Sequence, residues 1–108
     1  MKKLLLGSAI AFLLTLAAHA ADAPAIWADQ CAKCHGDDGK GDTKMGHKLS
    51  IKDFTDAAVQ AAFTDDEGFK AMKEGLADKN GKMRMKPIGG LSDDDMKAMV
   101  KYVRGLKK

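Results

Sequence analysis

Cys31 and Cys34 stand three residues apart, with His35 directly after the second, in the pentapeptide Cys31-Ala32-Lys33-Cys34-His35. On a helical turn, two thiols at that spacing lie on one side, where they can add to the two vinyl groups along one edge of a protoporphyrin ring. The adjacent imidazole can then offer a neutral nitrogen to the iron while its other ring nitrogen donates to a carbonyl in the following loop. This pattern implies one covalently attached haem per chain. A simple disulfide or a thioredoxin-like redox pair would also use Cys-x-x-Cys, but neither employs the histidine, and the second needs a βαβ pattern that this chain lacks. A structural zinc site would need a fourth ligand from a chain with few candidates.

An iron held by one histidine has a sixth position, and its occupant separates electron transfer from ligand chemistry. Met85 is the expected occupant. A thioether favours ferrous iron, and a filled site leaves oxygen or peroxide nowhere to bind. Met83, two residues earlier, is the nearest competitor; Met85 is preferred because Lys86 precedes Pro87 and is pushed to an extended conformation, which holds the ligand on stiff chain. Met72, Met96 and Met99 fall at helical apolar positions and read as core packing. Met45 and His47 follow the motif too closely to cross to the opposite haem face, and His47 reads as a solvent-facing loop residue.

The elements that must hold these groups read as all-α. The β-branched aliphatic residues from position 21 onward are Ile26, Ile51, Val59, Ile88, Val100 and Val103, and none belongs to an alternating run. A first helix starts near Pro24, with Asp22 as its cap, and runs through Trp27 into the cysteine motif. Gly36-Asp37-Asp38-Gly39-Lys40-Gly41-Asp42 opens a long surface loop reaching about Asp53. Thr55 can cap a short helix over Asp56 to Ala62. Thr64 to Glu67 has the capping-box pattern ahead of Phe69, Met72 and the terminator Gly75. Residues 76–91 contain Asn80-Gly81, Pro87 and Gly89-Gly90 and read as irregular. Ser92 then caps a last helix bearing Met96, Met99, Val100 and Val103 and closing at Gly105.

The N-terminus has the form of an export signal. Met1-Lys2-Lys3 is positive, Leu4 to Ala18 is almost continuously apolar, and Ala18-His19-Ala20 has the small-x-small form that signal peptidase reads. A membrane anchor is the alternative, but the run is shorter than the roughly 20 residues a span needs. Cleavage after Ala20 would remove residues 1–20, His19 among them, and leave 21–108 as one small domain. Its net charge would fall from +3 to +1 as Lys2 and Lys3 leave, so nothing marks a nucleic-acid binder. A domain this small is marginal on apolar packing alone and is expected to build a cofactor into its core.

The chain resembles a small bacterial class I c-type cytochrome. The likeness rests on Cys31 to Gly36, Gly39-Lys40-Gly41-Asp42, Met85-Lys86-Pro87, and Leu91 to Asp95 leading into Val100 to Arg104. It implies the cytochrome c fold: about four short helices around one haem, with the N- and C-terminal helices crossed. It also implies haem thioethers at Cys31 and Cys34, His35 as proximal iron ligand and Met85 as distal ligand, and it sets Trp27 against Met99 and Tyr102. One departure stands out: the family often has a proline after the histidine whose carbonyl accepts the imidazole proton, and Met45-Gly46-His47-Lys48 has none.

The function implied is that of a periplasmic single-electron carrier, monomeric, not an enzyme and not membrane-spanning in its mature form. It would dock transiently with a redox donor and acceptor. Lys33, Lys79, Lys82, Arg84 and Lys86 would form a positive rim near the exposed haem edge. A haem-based gas sensor or peroxidase-like enzyme with a displaceable sixth ligand is the alternative from a different class.

Overall fold

The computed structural model describes residues 22–108; the expected signal peptide and its cleavage site lie outside these residues. The first helical run comprises α1 (Ala23–Ile26), a π-helical turn (Trp27–Cys31) and α2 (Ala32–His35). The Asp22 carboxylate caps it by accepting from the Ala25 amide, and Pro24 occupies the first turn. There follow α3 (Lys44–Leu49), α4 (Ala57–Ala61), α5 (Asp65–Glu74), β1 (Leu76–Ala77), β2 (Met83–Met85) and α6 (Asp93–Arg104).

The two longest helices carry the strongest local signals. Thr64 with Glu67, and Ser92 with Asp95, form complete capping boxes at the starts of α5 and α6. Each cap contributes about 1 kcal/mol. Three acidic residues sit in the first turn of each helix, and Lys101 and Arg104 lie in the last turn of α6, which suits the helix dipole at both ends.

Three expectations are corrected in detail. The loop after the motif contains α3, capped by the Thr43 hydroxyl, so Met45 and His47 are helical. Asp56, not Thr55, caps α4; the Thr55 hydroxyl instead donates to Asp53. Residues 76–91 include a short antiparallel ladder in which Leu76 faces Met85 and Ala77 faces Met83. Asp78 accepts from the Asn80 and Lys82 amides and so shapes the turn that lets these few residues pair.

The buried core is Trp27, Met72, Met96, Met99 and Val100. It forms where α1 and α5 pack against α6. The Trp27 ring lies 5.4 Å from that of Tyr102, and Met99 is the most enclosed side chain of the cluster. Three of the five core residues are methionines, whose flexible chains fill an irregular space that branched residues would not. Cys31, Phe54, Met85, Ile88 and Leu91 pack around the cluster, half-buried. No helix among the described residues is long and apolar enough to cross a membrane.

Candidate functional site

The motif sits where a helix ends, so its backbone carbonyls need partners from elsewhere. Three consecutive ones find them. The Cys34 carbonyl accepts from the Thr43 hydroxyl at 2.6 Å, the His35 carbonyl from the Gly41 amide at 2.7 Å, and the Gly36 carbonyl from Trp27 Nε1 at 3.0 Å. The Thr43 hydroxyl also accepts from the Gly46 amide, so one side chain caps α3 and holds the motif. A side chain on Gly46 would come within 2.0 Å of the Gly41 carbonyl oxygen and 2.9 Å of that of Cys34; α3 therefore approaches the motif at a distance only glycine allows. The π-helical turn ends on Cys31 itself, and such local rewinding is frequent at functional sites.

His35 is held by rings more than by hydrogen bonds. Its Nδ1 is buried and has no hydrogen-bond partner among the described residues, in keeping with the missing proline. Its ring stacks on Phe54, 5.2 Å away at 23°, and faces Trp27 at 5.6 Å and 40°. Burial pulls its pKa below the usual value, which favours the neutral imidazole a metal ligand must be.

Both cysteines are half-buried and unbridged. Burial, and secondarily the neighbouring Cys34, push the Cys31 thiol up to about 11. That is the opposite of the shift that activates the attacking thiol of a redox pair. Among the described residues no three His, Cys, Asp or Glu side chains cluster to hold a bare metal ion. The donor set instead suits a haem: two thiols and an unengaged neutral imidazole within one pentapeptide.

The methionine segment is fastened by backbone contacts. Gly75, at φ +80°, lets β2 come so close that a side chain there would meet the Met85 carbonyl oxygen at 2.6 Å and Pro87 Cδ at 2.9 Å. The Ile88 amide donates to the Met72 carbonyl at 2.8 Å. Met85 is half-buried against the core cluster that Cys31 also touches, whereas Met83 is 47% exposed. His47 is exposed and pairs with Asp42 at 2.6 Å.

The roles of four residues around the site escaped the sequence reading. Thr43 fastens the motif, Phe54 stacks on His35, and Gln60 and Arg104 tie Phe54 to the last helix. Gln60 is buried and donates from Nε2 to the carbonyls of Phe54 and Val103 at 2.7 and 2.8 Å. Arg104 donates to the Gln60 side chain at 2.9 Å and to the Phe63 carbonyl at 2.7 Å, and lies over the Phe63 ring. A threonine three residues before a helical glycine was the one available signal, as a cap. Two surface clefts, of about 320 and 520 Å³, border this network on α4, α5 and α6 and include no residue of the motif.

Comparison with known proteins agrees with this geometry. The family model described as Cytochrome c matches residues 20–107. No curated protein matches the chain. Among solved structures, the KustC0563 c-type cytochrome is similar at 33% identity and TM-score 0.68, covering 81% of this chain and 99% of its own. A tyrosine-to-phenylalanine mutant of Kustc0563 is similar at 32% identity and TM-score 0.65, covering 80% and 99%.

Proposed function

The chain belongs to the cytochrome c family, whose members bind a covalently attached haem c, and on that premise we propose that it is a periplasmic single-electron carrier with histidine and methionine ligation. Residues 1–20 act as a cleaved signal peptide, and 21–108 form the exported domain. Cys31 and Cys34 supply the thioethers, His35 the proximal ligand and Met85 the distal one. When bound, haem c supplies an iron that takes up and gives back one electron.

The observation that carries the reading is the neutral, unengaged imidazole of His35 at the end of a helix where the Cys34, His35 and Gly36 carbonyls are each fastened. A ligand whose backbone is fixed this way need not shift along the chain when the iron changes charge. Met85 supports the same reading from the other side, since it is half-buried on a strand fastened at Gly75 and Ile88. A closed coordination shell excludes small ligands and leaves electron transfer as the chemistry. The exposed cations Lys33, Lys79, Lys82 and Lys86 form a rim for an acidic redox partner; Arg84 belongs to it in position, but its guanidinium also donates to the Leu49 carbonyl and braces β2 against α3.

Optical spectra of the purified exported protein test this reading, with Met83→Ala and Met85→Ala beside the parent. The expected result is a six-coordinate haem whose methionine band in the oxidised form disappears in Met85→Ala alone. Loss of that band only in Met83→Ala would reassign the distal ligand. Rapid carbon monoxide binding by the reduced parent would instead make the protein a sensor or a peroxidase-like enzyme.

A further inference from the structure

An imidazole bound to a metal is free to turn about the metal–nitrogen axis unless something fixes its plane. The usual device is a hydrogen bond from the other ring nitrogen to a carboxylate or carbonyl. Among the described residues His35 has none: its Nδ1 is buried and unpartnered. Its ring is instead nearly parallel to that of Phe54, at 23° and 5.2 Å between centroids.

Phe54 is itself tightly held. Its amide donates to the Gly39 carbonyl at 2.9 Å, its carbonyl accepts from Gln60 Nε2 at 2.7 Å, and its ring meets Phe63 edge-on at 5.9 Å. Gln60 passes the anchorage on to the Val103 carbonyl and to Arg104 of α6. A firmly anchored ring thus stands nearly parallel to the imidazole. Trp27 also faces His35, but it lies in the main core, where a substitution alters folding as well.

We propose that Phe54 is the positioning residue that sets the plane of the His35 imidazole, replacing by ring stacking the hydrogen bond that Nδ1 does not make. The inference rests on the reading of His35 as the proximal ligand. Ring plane matters because it selects which iron orbital the imidazole overlaps, and so distributes unpaired spin over the haem edge from which an electron leaves. Gln60 and Arg104 act one step further out, by holding Phe54.

The test compares oxidised holoprotein with Phe54→Leu, which keeps apolar bulk but removes the ring, and Phe54→Tyr, which restores it. The readouts are the pattern of paramagnetically shifted haem methyl resonances, the anisotropy of the ferric electron paramagnetic resonance signal, and the midpoint potential. Phe54→Leu is expected to redistribute the methyl shifts and move the potential, and Phe54→Tyr to return both toward the parent. If Phe54→Leu does not take up haem, Phe54→Met is read in its place. An unchanged methyl pattern in the ring-less variant, with haem attached, overturns the positioning role; so does a Phe54→Tyr pattern as disturbed as that of Phe54→Leu. A parent without histidine ligation in these spectra overturns the functional reading itself, so the two failures are separable.

Discussion

Trp27 donates its indole Nε1–H to the carbonyl of Gly36 across 3.0 Å, in the interior of the protein. That bond joins the beginning of the first helical run to the residue that ends it, and the same indole faces both His35 and Tyr102. The site is therefore braced directly against the crossing of the terminal helices. Trp27→Phe keeps a ring but removes the donor and part of the buried area. The Gly36 carbonyl retains the Gly39 amide at 3.2 Å, which limits the damage. The expected loss is about 1–2 kcal/mol of stability, read as a lower denaturant midpoint at unchanged slope.

Asp53 prepares the position of Phe54, since its carboxylate accepts from both the amide and the hydroxyl of Thr55, at 2.8 and 2.6 Å. The Thr55 hydroxyl, then the Thr55 amide, hold its pKa below the ordinary carboxylate value. A depressed folded-state pKa contributes stability that is present above the unfolded value of 3.8 and is lost as pH falls through the lower folded value. Asp53→Asn should therefore be less stable than the parent at neutral pH, with the difference closing on acidification below the carboxylate range. Denaturant midpoints measured from pH 7 downward check this. A difference that stays constant with pH would mean that the charge of Asp53 is irrelevant.

Which features were legible follows from how local their causes are. The cap of the first helix at Asp22, and the capping boxes of Thr64 with Glu67 and Ser92 with Asp95, lie within one turn and could be read directly. The cysteine motif was legible for the same reason. Helix α3 was not, because Gly46 looks like a breaker; there it is required by the approach of Gly41 and Cys34, which lie in a different segment. The ladder of β1 and β2 is too short to show alternation. Gln60 resembles any surface glutamine until Phe54 and Val103 are brought to either side of it. The stacking of Phe54 on His35 spans a loop and leaves no spacing signature.

The proposed basic rim makes a kinetic prediction. Lys79 and Lys82 are exposed near the hairpin turn, and Leu76 and Met83 of the same hairpin are exposed large apolar residues. Association with an acidic partner should be fast at low salt and slow as ionic strength rises. The double variant Lys79→Glu, Lys82→Glu should lower the second-order electron-exchange rate at low salt by about tenfold and flatten its salt dependence. Stopped-flow exchange with an acidic redox protein decides it, and a parent rate indifferent to ionic strength would remove the rim from the account.

Gly75 ties the end of α5 to the strand that bears Met85. Its backbone, φ +80° and ψ 177°, lies in a region that only glycine occupies readily. A Cβ there would also press on the Met85 carbonyl oxygen at 2.6 Å and on Pro87 Cδ at 2.9 Å. Gly75→Ala thus carries a backbone cost of about 1–3 kcal/mol, and part of it can be relieved only by moving the strand that bears Met85. If Met85 is the distal ligand, the relief weakens its bond to iron. The variant should then show a diminished methionine band and carbon monoxide binding to the reduced protein at least about tenfold faster than the parent, a change of about 1.4 kcal/mol in the barrier to opening the site. Ser92→Ala serves as the comparison, because it loses a cap on α6 at a similar cost without touching β2. A Gly75→Ala protein that is destabilised like Ser92→Ala but keeps the band and the slow carbon monoxide binding would separate the strand's packing from the ligand's hold on iron, and would count against Met85 as that ligand.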